Sequence, residues 1–333
     1  MYKVAGFFSG VGGIELGFKK AGFNIVWANE YDERASITYK NNFNHTFIEK
    51  DIRELENDDI PNVDVITAGF PCQAFSIAGY RKGFEDKRGN LFFEVIRLIR
   101  DKKPRVLFFE NVKNLVSHDK GNTYKVILET LEAHGYYVKD KVLNGANYGN
   151  VPQNRERIYI VAFLNKEDYE KFSFPKPIKL TTQLSDVIKF DLKVDEKYFY
   201  TKDKNKFYDQ LEESITSQKT VYQWRRKYVR ENKSGLCPTL TANMGTGGHN
   251  VPLIKSDYGI RKLTPRECFN LQGYPEDFIL PDLADSHLYK QAGNSVVVPV
   301  IEAIAKEILK ALNGEIDLDV INTELPEQLS FNL

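Results

Sequence analysis

The feature that most constrains this chain is an alternation of short apolar runs and amphipathic stretches through its first 165 residues. Tyr2–Phe8 reads as a strand running into a glycine-rich turn, with a helix near Ile14–Ala21. Ile25–Asn29 is a second strand, followed by a helix near Asp32–Asn42. Val63–Ala68 and Arg105–Glu110 are nearly continuous apolar runs bounded by turns, as expected of strands buried on both faces. Between them, a helix over about Leu91–Lys102 places Leu91, Val95, Leu98 and Ile99 on one side. Arg157–Leu164 is another buried strand. This alternation predicts an α/β fold with a doubly wound, mostly parallel sheet, that is, a Rossmann-like domain.

The pattern breaks after Leu164. The stretch with Pro175 and Pro177 reads as a linker. From about 180 to 260, strand-like pieces, aromatics and the glycine-rich MGTGGHN replace the alternation. A long helical pattern returns from Ser295 to Leu312, with Pro299 tolerable in its early turns. That helix suits the first domain better. The expected organisation is a discontinuous domain of residues 1–175 and 290–315, an inserted smaller module with its hinge over 176–289, and an acidic tail over 316–333.

At 333 residues the chain can bury a full core without disulfides or structural metals. No apolar run could span a bilayer, and the N-terminus lacks a signal-peptide layout. Cys72, Cys237 and Cys268 are an odd number without metal-like spacing. They argue against a disulfide framework or a metal site and for a reducing cytosol. Forty-six basic and forty-six acidic residues cancel, but unevenly. From Lys219 to Lys233 there are six basic residues (Lys219, Arg225, Arg226, Lys227, Arg230, Lys233) against one acid, Glu231. After Lys310 there are five acids and no Lys or Arg. A charge run by itself is usually a solvated face.

The first strand runs into Phe8-Ser9-Gly10-Val11-Gly12-Gly13 and a helix. Glycines there let backbone approach a ligand at the carboxyl end of a parallel sheet. A dinucleotide fingerprint would need glycine at position 15, where Glu15 stands, which counts against NAD. The second strand ends at Glu30, which can accept hydrogen bonds from two ribose hydroxyls, and Tyr31 can stack on an adenine. Asp51 offers an acceptor for an exocyclic amine beside the apolar Ile52. The ordered set suits an adenosine without a diphosphate, as S-adenosylmethionine provides.

The strand Val63–Ala68 ends in Gly69-Phe70-Pro71-Cys72-Gln73. A lone cysteine is usually a buried small hydrophobe, but this one lies where α/β active sites lie. A free thiol is strongly nucleophilic even when only a few per cent ionised. The following SIAGYRKGFEDKRGN reads as a mobile loop. The next strand ends at Glu110, near Cys72 if the two strands are neighbours. Desolvation there raises a carboxyl pKa and favours the proton-donating form. Arg155 and Arg157 alternate onto one side and could hold a carbonyl oxygen or a phosphate. Cysteine, acid and arginine beside a methyl donor suggest methylation of cytosine carbon 5. A thiolate adds to carbon 6, an acid serves nitrogen 3, and a donor holds oxygen 2.

These blocks resemble the DNA (cytosine-5)-methyltransferase family of bacterial restriction–modification systems. FSGVGG, NEYD, GFPCQ, GFEDKRGNLFFE, FENV, QNRERIYIVAF, RKLTPREC with LQGYP, and QAGNSVVVPV stand in the family's order. They cover nearly the whole first domain and its returning helix. One departure is Gly6, where the family commonly has Asp. The resemblance implies Cys72 as nucleophile, Glu110 and Arg155 assisting it, and Arg157 at the base carbonyl. It implies an S-adenosyl-L-methionine pocket lined by Phe8, Ser9, Gly10, Gly12, Gly13, Glu30, Tyr31, Asp51, Ile52, Pro71 and Leu91, closed by Asn294. The target cytosine would leave the stack to reach the site. The inserted module would be the target recognition domain. There Arg225, Arg226, Arg230 and Thr239, with Tyr222, Trp224 and Tyr228 interleaved, would meet double-stranded DNA alongside Gln73 and Ser76. The module also resembles those of enzymes acting on GC-rich sites such as GCNGC.

The implied protein is a bacterial cytoplasmic monomer without metal or membrane partner. A cognate restriction endonuclease would share its site without binding it. Competing readings are an RNA (tRNA) cytosine-5 methyltransferase and a catalytically dead, sequence-specific DNA-binding protein. The long basic module argues against the first and the intact Cys72, Glu110 and arginine set against the second. His249, Cys237 and Cys268 read as structural.

Overall fold

The structure is a computed structural model that describes residues 1–71, 91–225, 227–246 and 250–315. The long apolar runs do form strands of one sheet. Its strands are β1 (Lys3–Phe7), β2 (Asn24–Glu30), β3 (Thr46–Glu49), β4 (Val65–Ala68), β5 (Val106–Val112), β6 (Tyr137–Asn144) and β8 (Glu156–Phe163), in the order β3-β2-β1-β4-β5-β8-β6. All pairs from β3 to β5 are parallel, and β8 runs antiparallel to both neighbours, β5 and β6. A two-residue strand, β7 (Gln153–Asn154), precedes β8.

Strand alternation explains why these runs are apolar throughout. Val106 and Phe108 enter one core cluster, Leu107 and Phe109 the other; Tyr159 and Val161 join the first, Ile158 and Ile160 the second. Each face is covered by helices, so Val106–Phe109 and Ile158–Phe163 are buried throughout. Helices α1 (Gly13–Lys20), α2 (Glu33–Asn42), α3 (Leu91–Ile99) and α4 (Asn122–Ala133) follow the early strands. Helix α3 buries Phe92, Val95 and Leu98 in the same cluster as Phe7 and Phe109. Asp32 stands one residue before α2 and caps it, accepting from Arg34 N and Ala35 N. The α4–β6 unit carries no continuous apolar run. Its strand is half exposed, so its apolar residues do not form a run.

Helices α5 (Pro265–Asn270) and α6 (Asp285–Asn294) precede α7 (Val298–Leu312). The returning helix therefore starts three residues later than the sequence pattern suggests. Pro299 sits in its first turn, where no backbone N–H is needed. Val300, Ile301, Ile304 and Ile308 of α7 pack with Phe18 of α1 and Val4 of β1, on the first face of the sheet.

Residues 222–262 form a separate antiparallel sheet of β9 (Tyr222–Trp224), β10 (Val229–Glu231), β12 (Leu253–Ser256) and β13 (Gly259–Lys262), in the order β10-β9-β12-β13. A short strand, β11 (Cys237–Pro238), pairs with β7 and ties this region to the start of β8. A further apolar cluster joins Val11 and Ala35 to Leu240, Cys268, Phe269 and Tyr274. The glycine turn after β1 thus packs directly on the later half of the chain. Among the described residues, no helix is long and apolar enough to cross a membrane.

Candidate active site

The order β2-β1-β4 means the chain leaves β1 in one direction across the sheet and later returns in the other. Such a switch point opens a crevice at the carboxyl ends of the strands. A cleft of about 740 Å³ lies there, within the size range of small-molecule sites. Its wall brings together Phe8, Ser9, Gly10, Gly13, Glu30, Tyr31, Asp51, Ile52, Pro71, Leu91, Glu110, Arg155, Arg157 and Asn294. Every described residue expected to bind the cofactor or carry the chemistry is therefore on this wall except Gly12. Gly12 instead stands just before α1 at φ 88°, and a side chain on it would collide with Phe43. Cys72, Gln73, Ser76 and Arg226 lie outside the described residues, as does His249.

At one end of the cleft, Glu30 is held by backbone. Its Oε2 accepts from Gly10 N at 2.9 Å, and its Oε1 from Tyr31 N and Asp32 N, each at 2.9 Å. Burial raises its pKa, and those three N–H donors work against the rise. Gly10, at φ 54°, has no described residue other than its chain neighbours within 4 Å of where a side chain would begin. Tyr31 is 68% exposed at the rim. Asp51 is less free than its sequence position implied. Its carboxylate accepts from both the backbone N and the Nε of Arg53, which also hold its pKa down.

At the other end, Glu110 is the fifth residue of β5 and lies within the strand, 8% exposed. It pairs across with Tyr159, and Arg157 lies two residues before Tyr159 on the same face. Arg157 Nε approaches Glu110 Oε1 at 3.0 Å, although the N–H is not aligned for a hydrogen bond. Burial raises the Glu110 pKa, and Arg157 and then Arg155 oppose it. A side-chain carbon on Gly69 would lie 3.7 Å from Glu110 Oε2. Glu110 thus faces the end of β4, three residues before Cys72. Asn111 Nδ2 donates to Phe70 O at 2.8 Å and fixes where that segment leaves the sheet.

Arg155 is placed differently from the expectation that it shares a ligand with Arg157. It is 2% exposed, and its guanidinium donates to Leu240 O at 2.7 Å, to Gly293 O at 3.1 Å and to Ser295 O. It clamps the start of β8 to the later half of the chain. Burial and the Arg157 charge lower its pKa to about 9.

The basic run forms the β9–β10 hairpin. Arg225 and Arg230 are exposed, and Arg225 donates to Gln223 Oε1 at 2.9 Å. Tyr222 is only 1% exposed and belongs to the core beneath the hairpin, so the expected aromatic interleaving is corrected there. Trp224 stacks on Phe207 with centroids 4.9 Å apart, leaving Tyr228 the exposed aromatic of the three. Thr239 Oγ1 donates to Asn154 O at 2.6 Å, just before the start of β8. Cys237 and Cys268 are buried thiols whose pKa burial pushes up.

Sequence reasoning missed Lys290 and Ser295 on the cleft wall. Lys290 closes the rim through an ion pair with Asp32 at 2.8 Å. Ser295 was visible within QAGNSVVVPV, whereas nothing local marks Lys290. Among the described residues, no group of His, Cys, Asp and Glu could hold a metal ion.

The fold and sequence have clear relatives. The chain matches, over residues 2–310, the profile of the family described as C-5 cytosine-specific DNA methylase. It is 63% identical over 314 residues to the type II methyltransferase M.Bsp6I of Bacillus sp. (strain RFL6), covering 94% of this chain and 100% of that protein. It is 41% identical over 319 residues to the type II methyltransferase M.HhaI of Haemophilus parahaemolyticus, covering 92% of this chain and 94% of the relative. Among solved structures, a DNMT2 mutant from Spodoptera frugiperda shares the fold, with a TM-score of 0.72 and 21% identity over 93% of this chain and 100% of that one. The sheet order, the cleft at its switch point and these relatives agree: the chain belongs to the C-5 cytosine-specific DNA methylases and is a DNA (cytosine-5)-methyltransferase.

Proposed function

We propose that this enzyme methylates a flipped-out cytosine in a specific short duplex DNA site through a covalent adduct of Cys72 with carbon 6, using S-adenosyl-L-methionine. It acts as a monomer and as the modification arm of a type II restriction–modification system, consistent with relatives named type II methyltransferases. Residues 1–175 and 290–315 form the catalytic domain, and 176–289 form the recognition domain with its hinge.

The cofactor fits the cleft on three observations. Glu30 keeps acceptor capacity after its three backbone donors, since a carboxylate offers about four lone-pair sites. Gly10 leaves the turn open to a close approach. Tyr31 and Ile52 supply flat and apolar walls near Asp51. When bound, the cofactor supplies the methyl group for carbon 5.

The observation that carries the reading is Glu110, buried beside Arg157 and facing Gly69 at the end of the strand that leads to Cys72. Addition of the Cys72 sulfur to carbon 6 pushes electron density toward nitrogen 3 and carbon 5. Glu110, whose pKa burial raises, donates at nitrogen 3 in its protonated form, so charge does not build up on the ring. Arg157 holds oxygen 2 and stabilises the Glu110 anion that results. Once carbon 5 carries the methyl group, its proton passes to water, the Cys72–carbon 6 bond breaks with the sulfur leaving as thiolate, and the nitrogen 3 proton returns to Glu110, which restores the ring. Arg155 supports this as a clamp behind the site.

The exposed Arg225 and Arg230 hairpin meets phosphates or guanine edges. Incubation with labelled S-adenosylmethionine and unmethylated duplex DNA, followed by bisulfite sequencing, tests the reading. Label at one repeated sequence context is the expected result. Transfer to tRNA in preference to duplex DNA would move the assignment to RNA.

A further inference from the structure

The turn between β1 and α1 covers a buried acid that the reaction above does not use. Glu15 is 1% exposed. Its Oε1 accepts from Ser9 Oγ at 2.7 Å, and its Oε2 is buried without a hydrogen-bond partner among the described residues. Ser9, which donates to it, and Gly13, two residues before it, line the cleft. The carboxyl therefore lies directly beneath the cofactor turn.

It also fills the place of a missing side chain. A side-chain carbon on Gly6 would lie 2.0 Å from Glu15 Oε1 and 2.9 Å from Ser9 Oγ. Only glycine at position 6 lets α1 send a carboxyl back to the end of β1. The same volume could be filled by an acid from either backbone position, but not from both.

None of the ion pairs among the described residues involves Glu15. Among the described residues, the ionisable groups that face it are Glu30 at the end of β2, Tyr39 of α2 and Tyr274 before α6. All three are acids, and none supplies positive charge. Burial raises the Glu15 pKa to about 7, and the charge on Glu30 adds to the rise. A buried acid with an orphan oxygen and, among the described residues, no cation beside it is stabilised as an anion when a cation arrives from outside.

We propose that Glu15 is a positioning residue of the cofactor site whose carboxylate favours the cationic methyl donor over the neutral demethylated product. The proposal rests on the reading of the cleft as the S-adenosylmethionine site. The sulfonium makes the donor one charge more positive than S-adenosylhomocysteine. Glu15 is partly protonated near pH 7 in the free enzyme, loses that proton when the donor binds, and keeps it with the product.

The test is calorimetric titration of the full chain with S-adenosylmethionine and with S-adenosylhomocysteine. It is run from pH 6 to pH 8, in buffers of different ionisation enthalpy. In the wild type, donor binding should release a fraction of a proton near pH 7 and product binding should not. In Glu15→Gln, donor affinity should fall roughly tenfold, the size of a buried charge interaction lost at moderate distance. Product affinity should stay within about threefold by the same estimate, and the extra proton release should vanish. Subtracting the variant from the wild type removes the titration of the ligand's own amine.

The double variant Gly6→Asp, Glu15→Ala returns the carboxyl from the strand side and should restore the preference. Thermal unfolding shows which variants are folded. Equal weakening of both ligands, or an unchanged donor-to-product ratio in folded Glu15→Gln, would make Glu15 a structural acid only and overturn the proposal. Wild-type protein that binds neither ligand would instead overturn the reading of the cleft.

Discussion

Glu30 and Glu110 are buried carboxyl groups at the same end of one sheet, and burial raises the pKa of both. They differ in what surrounds them. Glu30 is wrapped by three backbone N–H groups, whose positions are set by the turns after β1 and β2. Glu110 faces the Arg157 side chain at 3.0 Å and, among the described residues, forms no aligned hydrogen bond. Backbone donors immobilise a carboxylate and suit a group that recognises a ligand without changing its charge. A buried carboxyl with a cation beside it and unspent hydrogen-bonding capacity can lose and regain a proton as the charge on its ligand changes.

The sharpest way to break this contrast is to remove the group that Glu110 is proposed to serve. Cys72→Ser should abolish turnover, measured as label transferred to DNA, while the melting temperature stays that of the wild type. Full activity in this variant would end the covalent mechanism. Next in size, Glu110→Gln should slow methylation by about a hundredfold, the usual loss for a general acid, with cofactor affinity unchanged. The sign with pH follows from the raised pKa. The protonated acid is the donor, so the wild-type rate should fall as pH climbs through that pKa. The variant should lose that limb. An unchanged rate would show that another group serves nitrogen 3.

Arg155 separates clamping from chemistry. Arg155→Lys cannot span the carbonyls of Leu240, Gly293 and Ser295 at once. It should lower stability by about 2 kcal/mol, as for one or two lost hydrogen bonds to a charged group. Denaturant titration checks this; unaltered stability together with lost turnover would return Arg155 to the substrate. The smallest effect belongs to the hairpin. Arg225→Ala with Arg230→Ala should weaken duplex binding and lower the slope of log affinity against log salt by about 2, near 0.9 per phosphate contact. A slope equal to the wild type would make the hairpin charges a solvated face.

Much of the sheet was legible because strands covered on both faces must be apolar at every position, as at Val106–Phe109. The α4–β6 unit was not legible, since β6 faces solvent on one side and mixes lysines with apolar residues. At the site, the acids and glycines stood out because their types are costly or conformationally special where they occur. Lys290 did not, because an exposed lysine on a helix looks the same whether or not it meets Asp32. Tyr222 was misread because a short strand of aromatics and arginines gives no sign of which face is covered.

The sequence by itself determined the parallel half of the sheet, the glycine turn at its switch point and the set of groups that gather there. Burial patterns and residue chemistry are local properties, and they survive in one dimension. Only the tertiary structure decided the direction of β8. Running antiparallel between β5 and β6, it delivers its amino end, with Arg157, to the carboxyl ends of the other strands. Only the tertiary structure assigned Arg155 to three carbonyls from distant segments, and only it put the Glu15 carboxyl in the space left by Gly6. Each of these depends on how separate chain segments pack against one another, which local residue patterns do not record.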